Sequence, residues 1–98
     1  IKTFNLINNR FKELGLTTSS SEIYFEDEKN LSLAIFSDTP AESERWVIFF
    51  TGSHWLFGIT PPDSSSCDPV TIDEFLLKDF VRKDVKQFIL FNLSLFSE

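Results

Sequence analysis

Cys67 and His54 are the only cysteine and the only histidine in the chain, so a cysteine–histidine nucleophile would have to use both. His54 stands at the start of an apolar run and Cys67 in a serine-rich loop, and nothing in their spacing joins them. Cys67 is therefore expected to be a loop thiol with no chemistry of its own. A structural zinc site needs about four cysteine or histidine ligands, and the two present fall short. Glu26-Asp27-Glu28 lacks the glycine-punctuated pattern of a calcium loop. Ser64-Ser65-Ser66 has no nucleophile-elbow glycines around it. Gly15, Gly52 and Gly58 are too scattered to cradle a phosphate. The residue types thus point away from an enzyme, and no cofactor or metal is expected.

The acids carry more information. From Glu22 to Glu44 there are seven of them (Glu22, Glu26, Asp27, Glu28, Asp38, Glu42, Glu44) against one base, Lys29, within a net charge of −6. Asp63, Asp68, Asp73 and Glu74 form a second acidic stretch with no base between them. Such a chain lacks the basic footprint needed for direct nucleic-acid binding, and anionic membrane surfaces repel it. Its electrostatic complement is a protein with a basic surface.

The elements that must position these residues are read from periodicity. Phe4, Ile7, Phe11 and Leu14 recur at helical spacing over Thr3 to Leu14, and Gly15 supplies a stop. Thr17 to Ser21 reads as a polar linker. Strands are expected at Glu22–Glu26, from Leu31 to Phe36, at Arg45–Thr51 and at His54–Thr60, the last two joined as a hairpin through Gly52. Thr60 to Pro69 reads as a loop. Thr71-Ile72-Asp73-Glu74 matches a capping box, and Asp84 looks like a second cap ahead of a stripe of Val85, Phe88, Ile89, Leu93 and Phe96. The expected fold is α+β over residues 1–98 as a single domain. A four-stranded antiparallel meander carries an N-terminal helix and one or two C-terminal helices.

In that meander the fourth strand is an edge with apolar residues on both faces. Helices covering both faces are the favoured solution, and a homodimer is the alternative. Twelve phenylalanines and 42% hydrophobic residues are enough for a core without disulfides. A lone cysteine favours a reducing compartment, so a cytoplasmic location is expected.

The meander also brings the loops after its second and fourth strands to one end. Asp38, Glu42, Glu44, Asp63 and Asp68 are thereby expected to form a partner-binding patch, with Trp55 as an aromatic anchor. In size, acidity, aromatic content and lack of catalytic residues the chain resembles bacterial toxin-immunity proteins. That resemblance implies an inhibitor blocking a basic site on a partner such as a nuclease toxin. The alternative is an accessory subunit or assembly factor of a larger complex, suggested by the apolar hairpin of Trp46–Phe50 and Trp55–Ile59.

Overall fold

The computed structural model describes residues 2–25, 28–40, 42–51, 53–64 and 66–97. The order of elements is α1 (Lys2–Glu13), β1 (Thr17–Phe25), β2 (Glu28–Phe36), β3 (Arg45–Phe50), β4 (Trp55–Thr60), β5 (Asp68–Val70), α2 (Ile72–Leu76) and α3 (Lys83–Phe91), with a 3-10 turn at Leu93–Phe96. The strands form one antiparallel sheet in sequence order, β1-β2-β3-β4-β5. The α+β meander is present, with five strands where the sequence suggested four.

Helix α1 buries Phe4, Ile7 and Phe11, the positions its periodicity marked. It ends in a Schellman motif: Leu16 N donates to Phe11 O at 3.1 Å, and Gly15 N donates to Lys12 O at 2.9 Å. Gly15 takes φ +86°, a conformation that costs a residue with a Cβ, so glycine stops the helix here. Leu16 closes the motif by packing into the core beside Phe11.

The chain enters β1 directly from that stop. Thr17–Ser21, expected as a linker, is the first half of a nine-residue strand. The β1–β2 ribbon is paired from Thr17↔Phe36 to Phe25↔Glu28, whereas β3 pairs with β2 over Leu33–Phe36 alone. The ribbon thus continues past the body of the sheet.

All three helices lie on one face. Ile35, Trp46, Ile48, Trp55, Phe57 and Ile59 alternate onto that face and pack with Phe4, Ile7, Phe11, Phe75, Val85, Ile89 and Phe96. The aromatic rings interlock edge to face: Trp46 meets Phe75 at 5.5 Å, and Trp55 meets Phe96 at 5.2 Å. Helices on both faces, the expected arrangement, are not found. The opposite face holds a small cluster of Ala34, Val47 and Phe49, with Leu56 and Cys67 against it. β5 also removes β4 from the edge, which answers the liability that motivated the two-sided expectation.

Thr71 caps α2 as expected, its hydroxyl accepting from Glu74 N at 3.1 Å. The cap of α3 is Arg82, so Asp84 lies inside the first turn rather than at the cap. There it accepts from Val85 N at 2.9 Å and pairs with the Arg82 guanidinium at 2.7 Å. Val85 and Ile89 are fully buried, and Phe88 is half-buried against Phe11. Leu93, expected on the same stripe, is exposed. The reason is a break in the helix. α3 ends at Phe91, and Asn92 leaves helical geometry at φ −129° and ψ 35°, so the step of about 100° that would carry Leu93 onto the stripe is broken before it reaches that residue.

Candidate functional site: an acidic loop end

Two loops meet at one end of the sheet, residues 37–44 between β2 and β3 and residues 61–67 between β4 and β5. Ser37 anchors the first: its N–H donates to Trp46 O at 3.0 Å, and its hydroxyl accepts from Trp46 N at 3.1 Å. Ser43 N donates to Pro40 O at 3.0 Å, which folds the loop into a turn.

The second loop turns at Pro61, whose carbonyl accepts from Ser64 N at 3.3 Å. Asp63 sits inside that turn at φ 57°, a left-handed conformation that aspartate tolerates better than most residues. The Ser64 hydroxyl accepts from Ser66 N at 3.1 Å and lies 2.8 Å from the Ser66 hydroxyl. Ser64-Ser65-Ser66, weighed as a nucleophile, thus has its described hydroxyls engaged with each other.

One side chain ties the loops together. Arg45, the first residue of β3, donates from Nη2 to the Ser64 carbonyl at 2.8 Å. The bond crosses 19 residues of sequence and links the end of the first loop to the middle of the second. Arg45 is half-buried, and its Nε is buried without a hydrogen-bond partner. The one base at this end is therefore turned toward backbone rather than toward the acids.

Asp38, Glu42, Glu44, Asp63 and Asp68 are all exposed at this end. Asp38, Glu42, Glu44, Asp63 and Asp68 form no ion pair, and Arg82–Asp84 is the pair seen among residues whose side chains are described. Among the described residues no three His, Cys, Asp or Glu side chains converge closely enough to hold a metal ion. The acids form a dispersed anionic surface rather than a chelating cage. That geometry suits a large basic surface better than a small cation.

Trp55 is not available as the anchor of this patch. It is 7% exposed, stacks on Phe4 at 6.2 Å, and packs against Phe50 at 5.1 Å. Alternation along β4 sends it to the helix-covered face, and it enters β4 at the far end from the two acidic loops. His54 is also at the far end, where Ser53 Oγ lies 2.8 Å from its Nδ1. Glu26 and Asp27, between β1 and β2, lie outside the described residues.

Cys67 lies over Gly58, four residues along β4 from His54, which strand rise makes about 13 Å. The pair therefore cannot share a proton. Cys67 is also more than a loop thiol. Its Sγ occupies the space that a Cβ at Gly58 would fill, which is why glycine stands inside an otherwise apolar strand. Burial pushes the thiol above its usual 9.0, the charge of Asp68 adds to the rise, and a hydrogen bond with Thr60 opposes it. A thiol held protonated is a poor nucleophile. The sequence signal for this role was the glycine itself, whose position in a strand implies a close approach from above.

No family model matches the chain, and no curated protein or solved structure matches it. No helix among the described residues is long and apolar enough to cross a membrane.

Proposed function

We propose that the protein is a small acidic binding protein of the inhibitor or immunity type, which blocks a basic site on a protein partner such as a nuclease toxin in the cytoplasm. One observation carries the reading: five exposed carboxylates without ion-pair partners, on two loops and the start of β5, at one end of the sheet. The Arg45–Ser64 bond supports it by holding the loops together before a partner arrives, which lowers the entropy cost of docking. Loops on a rigid sheet are the customary carriers of recognition. The protein needs no chemistry of its own in this role.

The test is the salt dependence of association with a partner captured from the native host. Rim charges act mainly on the on-rate, so raising salt should slow association while changing dissociation much less. Reversal of Glu42 and Glu44 together to lysine should lower the on-rate by about tenfold or more at low salt, without unfolding the domain. A captured partner that is acidic, or an on-rate that ignores salt, would sink the reading.

A second reading, an accessory subunit of a larger complex, rests on other residues than the sequence suggested. The hairpin of Trp46–Phe50 and Trp55–Ile59 is largely covered within the fold, whereas Phe91 and Leu77 are 85% and 80% exposed. A partner whose binding survives Glu42 and Glu44 reversal but fails in Phe91→Ser would favour it.

A further inference from the structure

Backbone N–H and C=O groups of successive residues in an antiparallel strand point alternately to its two sides. Ser37 N donates to Trp46 O at 3.0 Å, and Thr51 N donates to His54 O at 3.1 Å. Each bond joins residues that are directly opposite when the β2–β3 and β3–β4 registers are extended by one position. The two bonds give the same phase for β3, and that phase carries through every register of the sheet. Leu33 and Ile35 turn their backbone groups to β3, so Ser32, Ala34 and Phe36 turn theirs to β1. In β1, Thr17, Ser19, Ser21, Ile23 and Phe25 are then spent on β2. Thr18, Ser20, Glu22 and Tyr24 direct their N–H and C=O groups away from the sheet.

The other edge comes out differently. Asp68 and Val70 face β4, and Pro69 is left as the one outward residue of β5. Proline has no N–H, so that edge offers no donor to an incoming strand. β1 is nine residues long and carries no proline or lysine, the residues that usually blunt an exposed edge.

We propose that β1 is a docking site for a second copy of this chain, which adds antiparallel about a two-fold axis at Ser21. The outward positions are symmetric about that residue. Thr18 of one copy falls opposite Tyr24 of the other, and Ser20 falls opposite Glu22, so every outward group meets an outward group. A slip of one residue sets outward groups against spent ones. A slip of two in one direction places Glu22 opposite Glu22, which like charges disfavour, and in either direction leaves outward groups unpaired. The same register sets Phe25 opposite Thr17. That places the ribbon end bearing Glu28 beside the strand start of the other copy, where the last turn of α1 carries exposed Arg10 and Lys12 together with the single acid Glu13.

This site does not involve the acidic loops, and its salt dependence has the opposite sign. Two copies of charge −6 repel at long range, so salt strengthens self-pairing where it weakens capture of a basic partner. Sedimentation equilibrium of the purified protein from about 1 µM to about 1 mM should show the mass climbing from 11.3 kDa toward twice that value. The climb should be steeper at high salt. Ser20→Pro removes an outward donor and no β1–β2 ladder bond, so the variant should remain monomeric. Amide hydrogen exchange on the unaltered protein tests the same point without a variant. Thr18, Ser20, Glu22 and Tyr24 should exchange fast in dilute solution and slowly in concentrated solution, with Ser19, Ser21 and Ile23 slow in both. A monomer throughout whose outward amides always exchange fast overturns the proposal, as does a Ser20→Pro dimer. Outward amides protected only in a complex with a captured protein would assign the edge to that partner's strand and overturn self-pairing.

Discussion

The two edges of the sheet end in opposite ways. At β5 the last strand is three residues long, its outward position is a proline, and the chain turns at once into α2. At β1 the strand runs nine residues and its outer backbone groups meet no strand of the described chain. The difference extends into the packing. Val70 pairs with Phe57, and Phe57 packs against Phe75 and Phe96 at 5.1 and 5.7 Å, so the β5 side is locked to α2 and the C-terminal turn. Cys67 over Gly58 clamps the same side from the opposite face. One edge is a structural boundary enforced from both faces, and the other is a long ribbon with free hydrogen-bonding capacity. Stability should therefore concentrate at β4 and β5, leaving β1 free to serve contact.

The sharpest way to break this comparison is to cut the core beside the closed edge. Phe75 is fully buried between Trp46 and Phe57. Phe75→Ala should cost about 3–5 kcal/mol, whereas Thr18→Ala at the open edge should change stability by less than about 0.5 kcal/mol in dilute solution. Urea denaturation midpoints give both values. Equal costs would mean that the two edges do not differ in the way described.

A smaller cost is expected from overfilling the clamp. Gly58→Ala would set a Cβ onto Cys67 Sγ and 3.2 Å from Val47 Cγ1, so the thiol and the β5 loop must move. The cost should be about 1–3 kcal/mol, and Cys67→Ala in the same chain should return part of it. No recovery in the double variant would show that the clash lies with Val47 and that Cys67 clamps nothing.

These two edges also mark where the sequence could and could not be read. Helix α1 and strand β2 announce themselves by apolar residues at a period near four and at period two, whereas β3 and β4, covered on both faces, announce themselves as short apolar runs bounded by turn residues. Thr71 and Gly15 are legible for a local reason, since a cap and a left-handed stop each favour particular residues. β1 hides its first half because Thr17–Ser21 carries no apolar alternation, and a polar serine run has the composition of a linker. β5 hides because three residues are too short for a period and Pro69 argues against a strand unless its N–H side is known to face solvent. The acidic end was legible from connectivity alone: a meander places alternate loops together whatever their sequence. What connectivity could not give was the face of Trp55 or the reach of Arg45 to Ser64, because both depend on strand phase.

The smallest expected effect sharpens the closed edge from its chemistry. Cys67 keeps its proton to higher pH in the folded protein than in the unfolded chain, chiefly because burial disfavours the thiolate and secondarily because Asp68 is anionic. Between the two ionisation ranges the unfolded chain holds fewer protons than the folded one, so rising pH favours unfolding there. The contribution is fully present below the ordinary 9.0 and is lost as pH rises through the folded value. The denaturation midpoint should consequently fall more between about pH 8 and about pH 10 in the natural chain than in Cys67→Ser, whose hydroxyl does not titrate in that range. The thiol is only half-buried, so the difference should be modest, but its sign is fixed. A slope that is the same in both proteins would place the sulfur in solvent. The β5 loop would then be free of Gly58, and the closed edge would rest on Pro69 and the aromatic packing of Phe57 alone.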